Sequence, residues 1–238
     1  MTEQLNVQQM AERLCAADNI LVLCHKNPDG DTIGCGSALC HALKALGKTA
    51  AVLSDAVPSR YSFTAPVPFR GEFEPKTVVA VDVASVQLFG ENNGVPQYTR
   101  HVDLCIDHHP TNSHYAKKEL VCQDKAACGE IVLAVIKEMC GGITQEEADL
   151  LYIAVTTDTG CFQYLNTNAA TFRAAAELLE YGADTGMVNV KFFRKASRAR
   201  LKLEGMIYST MGFYRDGKIS VAIITKEMLR QAGAGEED

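Results

Sequence analysis

Four short runs in this chain carry continuous apolar stretches: ILVLC (20–24), TAAVLS (49–54), TVVAVDVAS (77–85) and HVDLCIDHH (101–109), the last ending in charge. Successive side chains of a strand point to opposite faces, so a strand can be apolar at every position only when both faces are covered. Between and after these runs the apolar residues recur at helical spacing: 5–17, 32–46, about 126–140, 145–157, 168–181 and 185–208. That alternation predicts an α/β fold, a Rossmann-like parallel sheet with helices on both faces. Residues 56–75 hold four prolines and read as irregular, and residues 90–97 read as a turn-rich loop. Segments 207–214 and 218–225 read as a hairpin around Asp216-Gly217. A boundary is expected at KFFRKASRARLK (191–202), whose six Lys and Arg residues are most simply the solvated face of a helix.

In open parallel sheets, ligands gather outside the carboxyl ends of the strands. Those ends are where this chain places its metal-competent side chains. The first run opens into HKNPDGD, with His25, Asn27, Asp29 and Asp31; the third reaches Asp82; the fourth ends in Asp107, His108 and His109. A further candidate, Asp158, stands in TTDTGCFQY (156–164). Each has an ordinary explanation alone. PDGD is a common turn, an aspartate after a strand is often a helix cap, and a histidine at a strand end is often simply hydrogen-bonded. Together, at the ends of apolar segments that one sheet edge can gather, they point to a metal centre. Carboxylates and imidazoles suit Mn²⁺, Mg²⁺ or Zn²⁺. Six or seven such groups from separate segments fit a two-ion clamp for phosphoryl hydrolysis better than one structural zinc. Gly30, carrying no Cβ, leaves room for Asp29 and Asp31 to aim apart.

The formal net charge of −6 argues against a broad basic surface for long nucleic acid, while a small anionic substrate held by metal ions remains compatible with it. The nine cysteines are odd in number and show no CxxC, which reads as a reducing, cytoplasmic chain. MTEQLNVQQM lacks the basic and apolar regions of a signal peptide, and no apolar stretch approaches the ~18 residues of a membrane span.

The motifs HKNPDGD (25–31), VAVDVAS (79–85), IDHHPTN (106–112) and TTDTGCFQY (156–164), in this order and spacing, resemble the DHH phosphoesterase family. AACGEIV (126–132), TDTGCFQYLNT (157–167) and SRARLKLEG (197–205) resemble its nanoRNase branch of oligoribonucleases that also dephosphorylate pAp. The likeness implies two divalent ions, Mn²⁺ first, with Mg²⁺ or Co²⁺ as alternatives. By that likeness His25 and Asp29 hold one ion, Asp82 bridges, and Asp31, His108 and Asp158 hold the other. Asp107 would orient a ligand imidazole, Asn27 would shape the loop, and His109 would donate to the phosphate or leaving group.

The implied reaction is hydrolysis of short single-stranded oligonucleotides and linear dinucleotides such as pApA, and of pAp to AMP. A family II pyrophosphatase or exopolyphosphatase activity, or a metal-binding fragment without activity, is the alternative. Cys35 stands where the family often has serine, a change expected to have little effect, although a thiol there could be oxidised. The resemblance divides the chain into a metal-binding domain (1–190), a connector helix (191–206) and the start of a substrate-binding DHHA1 domain (207–238), without that domain's glycine-rich motif. Homodimers are common in the family, and no membrane partner is implied.

Overall fold

The computed structural model of the chain describes residues 2–54, 57, 58, 61, 69–89 and 96–235. Six strands form one sheet: β1 (Glu3–Gln4), β2 (Ile20–Leu23), β3 (Ala50–Leu53), β4 (Thr77–Val81), β5 (Leu104–Asp107) and β6 (Lys118–Val121). Every pairing is parallel, in the order β1-β6-β5-β4-β2-β3. The chain leaves β2 to one side for β3, then crosses back to the other side for β4. This reversal opens a crevice at the carboxyl ends of β2 and β4. The register keeps those ends level: Leu23 lies beside Ala80, and Val81 beside Ile106.

Strand alternation sorts the apolar residues into two cores. Ile20, Val22, Val79, Val81 and Ile106 pack beneath the helices α1 (Val7–Ala16), α2 (Gly30–Ala45), α4 (Cys128–Cys140) and α5 (Gln145–Asp158). On the opposite face Leu21, Leu23, Val78, Ala80 and Cys105 pack with Phe89, Val102 and Ala116, edged by Tyr98 of the short helix α3 (Pro96–Thr99). Helix α2 is buried on nearly every side, which is why its sequence carries no single apolar stripe. It lies so close to α5 that a Cβ on Gly30 would fall 2.3 Å from Thr157 Oγ1, and one on Gly34 2.4 Å from the Leu150 carbonyl oxygen. The small residues of GDTIGCGSAL make that approach possible.

Several elements differ from the sequence expectation. Strand β1 is two polar residues and β6 is short and half polar, so no alternating apolar signal announces them. The expected helix over 185–208 is broken into α7 (Thr185–Asn189), a π-helical turn (Val190–Arg194) and α8 (Arg198–Thr210). The restart is fixed by Ser197, whose hydroxyl accepts from the Arg200 N–H at 2.9 Å. The hairpin is correspondingly shorter, β7 (Gly212–Tyr214) with β8 (Ile219–Val221). Helices α6 (Ala169–Glu180) and α9 (Lys226–Ala232) complete the list of longer elements. Half of the proline-bearing stretch 56–75 and most of the loop 90–97 lie outside the described residues.

The chain divides into two compact units, Met1–Phe192 and Phe193–Asp238. The first carries the parallel sheet. The second carries α8, the hairpin and α9, and exposes Phe213, Tyr214, Ile223 and Ile224. Among the described residues no helix is long and apolar enough to cross a membrane.

Candidate metal centre

The loops leaving β2, β4 and β5 and the end of α5 converge at the crevice. The turn after β2 reverses through Asn27 in the left-handed region (φ +52°), and the chain leaves β4 with Asp82 also left-handed (φ +59°). Aspartate and asparagine tolerate that conformation better than most residues. Asp29 caps α2: its Oδ1 accepts from the N–H groups of Asp31 (3.0 Å) and Thr32 (3.2 Å). Gly30 is required less for the aim of its neighbours than for the contact with Thr157 already described.

Asp31 is fully buried and reaches across to α4. Ala127, at the N-cap of that helix, offers no side-chain bond. The cap comes from Asp31 instead, whose two oxygens accept from the N–H groups of Cys128 (2.7 Å) and Gly129 (3.0 Å). The partial positive charge of the helix N-terminus favours a carboxylate there. Cys35 donates its thiol to Asp31 Oδ1 at 3.2 Å. Burial pushes that thiol well above the usual range, so Cys35 acts as a buried donor.

Among the described residues, three overlapping groups could each hold a cation: His25 with Asp29 and Asp82; Asp31 with His108 and Asp158; and Asp82 with His108 and His109. His25 Nε2 stands 3.4 Å from Asp29 Oδ1 and 3.7 Å from Asp82 Oδ2. His108 Nε2 stands 3.5 Å from Asp82 Oδ1, 3.5 Å from Asp158 Oδ2 and 3.9 Å from Asp31 Oδ2. Asp82 thus offers one oxygen to each side.

The hydrogen bonds at the far side of each ring fix what these nitrogens present. His25 Nδ1 meets the Lys26 carbonyl at 2.8 Å, and His108 Nδ1 meets the Lys125 carbonyl at 3.1 Å. A carbonyl can only accept, so Nδ1 carries the hydrogen in both rings and the neutral ring turns a bare Nε2 lone pair inward. Lone pairs of nitrogen and carboxylate oxygen then face one another. Asp82 Oδ1 and His108 Nε2 are buried with no hydrogen-bond partner. Leaving such an atom unmet costs about 1–3 kcal/mol. A divalent cation satisfies both, so the donor set fits one.

Electrostatics agree. Burial raises the carboxyls of Asp31, Asp82 and Asp158, and nearby carboxylates push Asp31 and Asp82 well above the ordinary range. For Asp29, burial pushes up, while the N–H groups of Asp31 and Thr32 that bond its Oδ1 draw it down.

Asp107 plays a different part from the one expected. It orients His109, not His108: its Oδ1 accepts from His109 Nδ1 at 2.7 Å and from the His108 N–H at 2.9 Å. Its Oδ2 accepts from Asn112 at 2.6 Å. His109 keeps a partly exposed ring, and the Asp107 hydrogen bond raises its pKa. Asn112, in the PTN that follows the two histidines, is a site residue the sequence reading passed over. The Lys125 carbonyl and the Cys128 and Gly129 amides carry no side-chain signal, so no sequence pattern exposes them.

The model of the DHH family, N-terminal domain, matches residues 19–155. The chain is 33% identical to the bifunctional oligoribonuclease and PAP phosphatase NrnA of Thermus thermophilus, over 96% of this chain and 69% of that protein. It is 24% identical to the Bacillus subtilis protein of the same name, over 91% of this chain and 69% of that one. Among solved structures, an exopolyphosphatase-related protein from Bacteroides fragilis superposes with a TM-score of 0.85 and 23% identity, covering 97% of this chain and 72% of that one. At that identity the likeness speaks for the fold.

Proposed function

The chain belongs to the DHH family, and from that premise we propose that it is a two-metal phosphoesterase acting on short oligonucleotides and on pAp. The observation that carries this reading is Asp82, a buried carboxylate with one oxygen toward His25 and the other, unpartnered, toward His108. The similarity to the NrnA relatives gives the substrate class, since those proteins are named for oligoribonuclease and PAP phosphatase activity.

In this reading His25 and Asp29 would hold one ion, Asp31, His108 and Asp158 would hold the other, and Asp82 would contribute to both. Divalent ions there, Mn²⁺ first, would supply a nucleophilic water near neutral pH and neutralise charge on phosphoryl oxygens. The protein's own groups do the rest. Asn112 holds Asp107 and Asp107 holds His109 Nδ1; the carboxylate favours the protonated ring, and in that form Nε2 carries the hydrogen it would donate to a phosphate oxygen or the leaving group. The amide ends of α2 and α4 stabilise negative charge at the mouth of the crevice. Residues 1–190 form the metal-bearing domain in this account, 191–206 the connector and 207–238 the substrate-side segment. The nine cysteines, odd in number and without a CxxC, favour a reducing, cytoplasmic setting.

The test is Mn²⁺-dependent hydrolysis of pApA, pAp and pyrophosphate in parallel, by this chain and its Asp82→Asn variant. Cleavage of pApA or pAp, lost in the variant, is the expected result. Cleavage of pyrophosphate alone would replace this reading with the pyrophosphatase one.

A further inference from the structure

One buried acid near the centre is not used by the reading above. Glu130 is the third residue of α4, and its side chain is 2% exposed. Its Oε1 accepts from the Ala126 N–H at 3.0 Å and from the Thr171 hydroxyl at 3.0 Å. The Ala126 N–H belongs to the same peptide group as the Lys125 carbonyl. That carbonyl is the acceptor for His108 Nδ1 at 3.1 Å. A continuous chain therefore runs from the Glu130 carboxylate through one peptide unit to His108, whose Nε2 faces Asp82, Asp31 and Asp158.

We infer that Glu130 is a positioning residue for His108, acting through the Lys125–Ala126 peptide. The inference rests on the metal-centre reading of His108. Imidazoles that bind metals generally give their other N–H to a carboxylate or a carbonyl, which fixes the tautomer and raises ligand basicity. Here both are present in series. A carboxylate bond at the amide N–H is charge-assisted, and it polarises the peptide so that its carbonyl accepts more strongly. The turn is fixed from a second side as well. Asn166 donates to the carbonyls of Ala126 and Asp158, both at 3.1 Å, which ties the same turn to the end of α5 where Asp158 stands. Glu130 is not needed to cap α4, because the Cys128 and Gly129 amides are already taken by Asp31.

The experiment is calorimetric titration of Mn²⁺ into the metal-free chain, for the wild type and for Glu130→Ala, Glu130→Gln and Thr171→Val. It is paired with nitrogen NMR of the metal-free His108 ring. Glu130→Ala should weaken one of the two binding steps by roughly 10–100-fold and let the His108 ring lose its single Nδ1–H tautomer. Glu130→Gln keeps the acceptor without the charge, so it should restore the tautomer and recover only part of the lost affinity. Thr171→Val removes a bond to the same carboxylate without touching the peptide, so it reports any general loosening and should leave both steps intact. If Glu130→Ala does not fold, Glu130→Asp carries the same expectation, because it withdraws the carboxylate by one methylene. Unchanged binding in the Ala or Asp variant, or an equal loss in Thr171→Val, overturns the inference. A wild type that fails to bind two ions overturns the metal-centre reading itself, and the inference with it.

Discussion

At the residue scale, the centre is defined by atoms that have no partner within the protein. Asp82 is the clearest case, and it is best tested with asparagine. Asn keeps the shape and tolerates the left-handed backbone at φ +59°, so loss of function would report the missing charge. Asp82→Asn should bind fewer than two Mn²⁺ per chain in calorimetry, with hydrolysis lost; near-normal turnover with two ions bound would sink the shared-carboxylate model. His109 gives the complementary expectation. His109→Ala should leave two-ion binding intact and lower kcat by roughly 10²–10⁴-fold, the usual range for a positioned proton donor. Asp107→Asn should shift in the same direction by less, since its hold on His109 at 2.7 Å is weakened while His108 keeps the Lys125 carbonyl. Steady-state kinetics with a parallel metal titration separate these outcomes.

At the element scale, the positions of Asp29 and Asp31 depend on how tightly α2 lies against α5. Gly34 has no room for a methyl group, because the nearest atom would be a backbone carbonyl oxygen that cannot turn away. Gly34→Ala should therefore destabilise the metal-free chain by about 1–3 kcal/mol, the usual range for overpacking, read as a lower urea midpoint with unchanged m. A midpoint equal to the wild type would mean that α2 shifts freely, and with it Asp31, whose bonds to the Cys128 and Gly129 amides span two helices. The break in the expected helix over 185–208 belongs to this scale too. Ser197 offers a cap signal three residues before Arg200, but continuous helical periodicity through 185–208 masked it.

At the scale of the whole molecule, a parallel sheet with a reversal between β2 and β4 gathers carboxylates that repel one another when buried together. Divalent ions bind the folded arrangement and not the unfolded chain, so they should stabilise by mass action: about 2.7 kcal/mol at a hundredfold excess over Kd. Protons compete for the same carboxylates and imidazoles, so the rise in Tm on adding Mn²⁺ should be larger at pH 8 than at pH 6. Differential scanning calorimetry measures both. No rise at either pH would argue against a cation in the crevice.

The sequence by itself determined the sheet's buried strands, the helices α1, α2, α4, α5 and α6, and the residue types at the strand ends, because periodicity and strand-end chemistry are local properties of the chain. His25, Asp29, Asp31, Asp82, His108 and His109 stand out there for that reason, while Asp158, which closes α5, stands out by its place in TTDTGCFQY. Only the tertiary structure decided which of them meet and which atoms they turn inward. Which oxygen of Asp82 faces which histidine, that Asp31 caps a helix ninety-seven residues away, and that Asp107 serves His109 follow from strand order and helix packing. The acceptors that fix the imidazoles are backbone carbonyls, which every residue carries alike, so only folding selects the ones at Lys26 and Lys125.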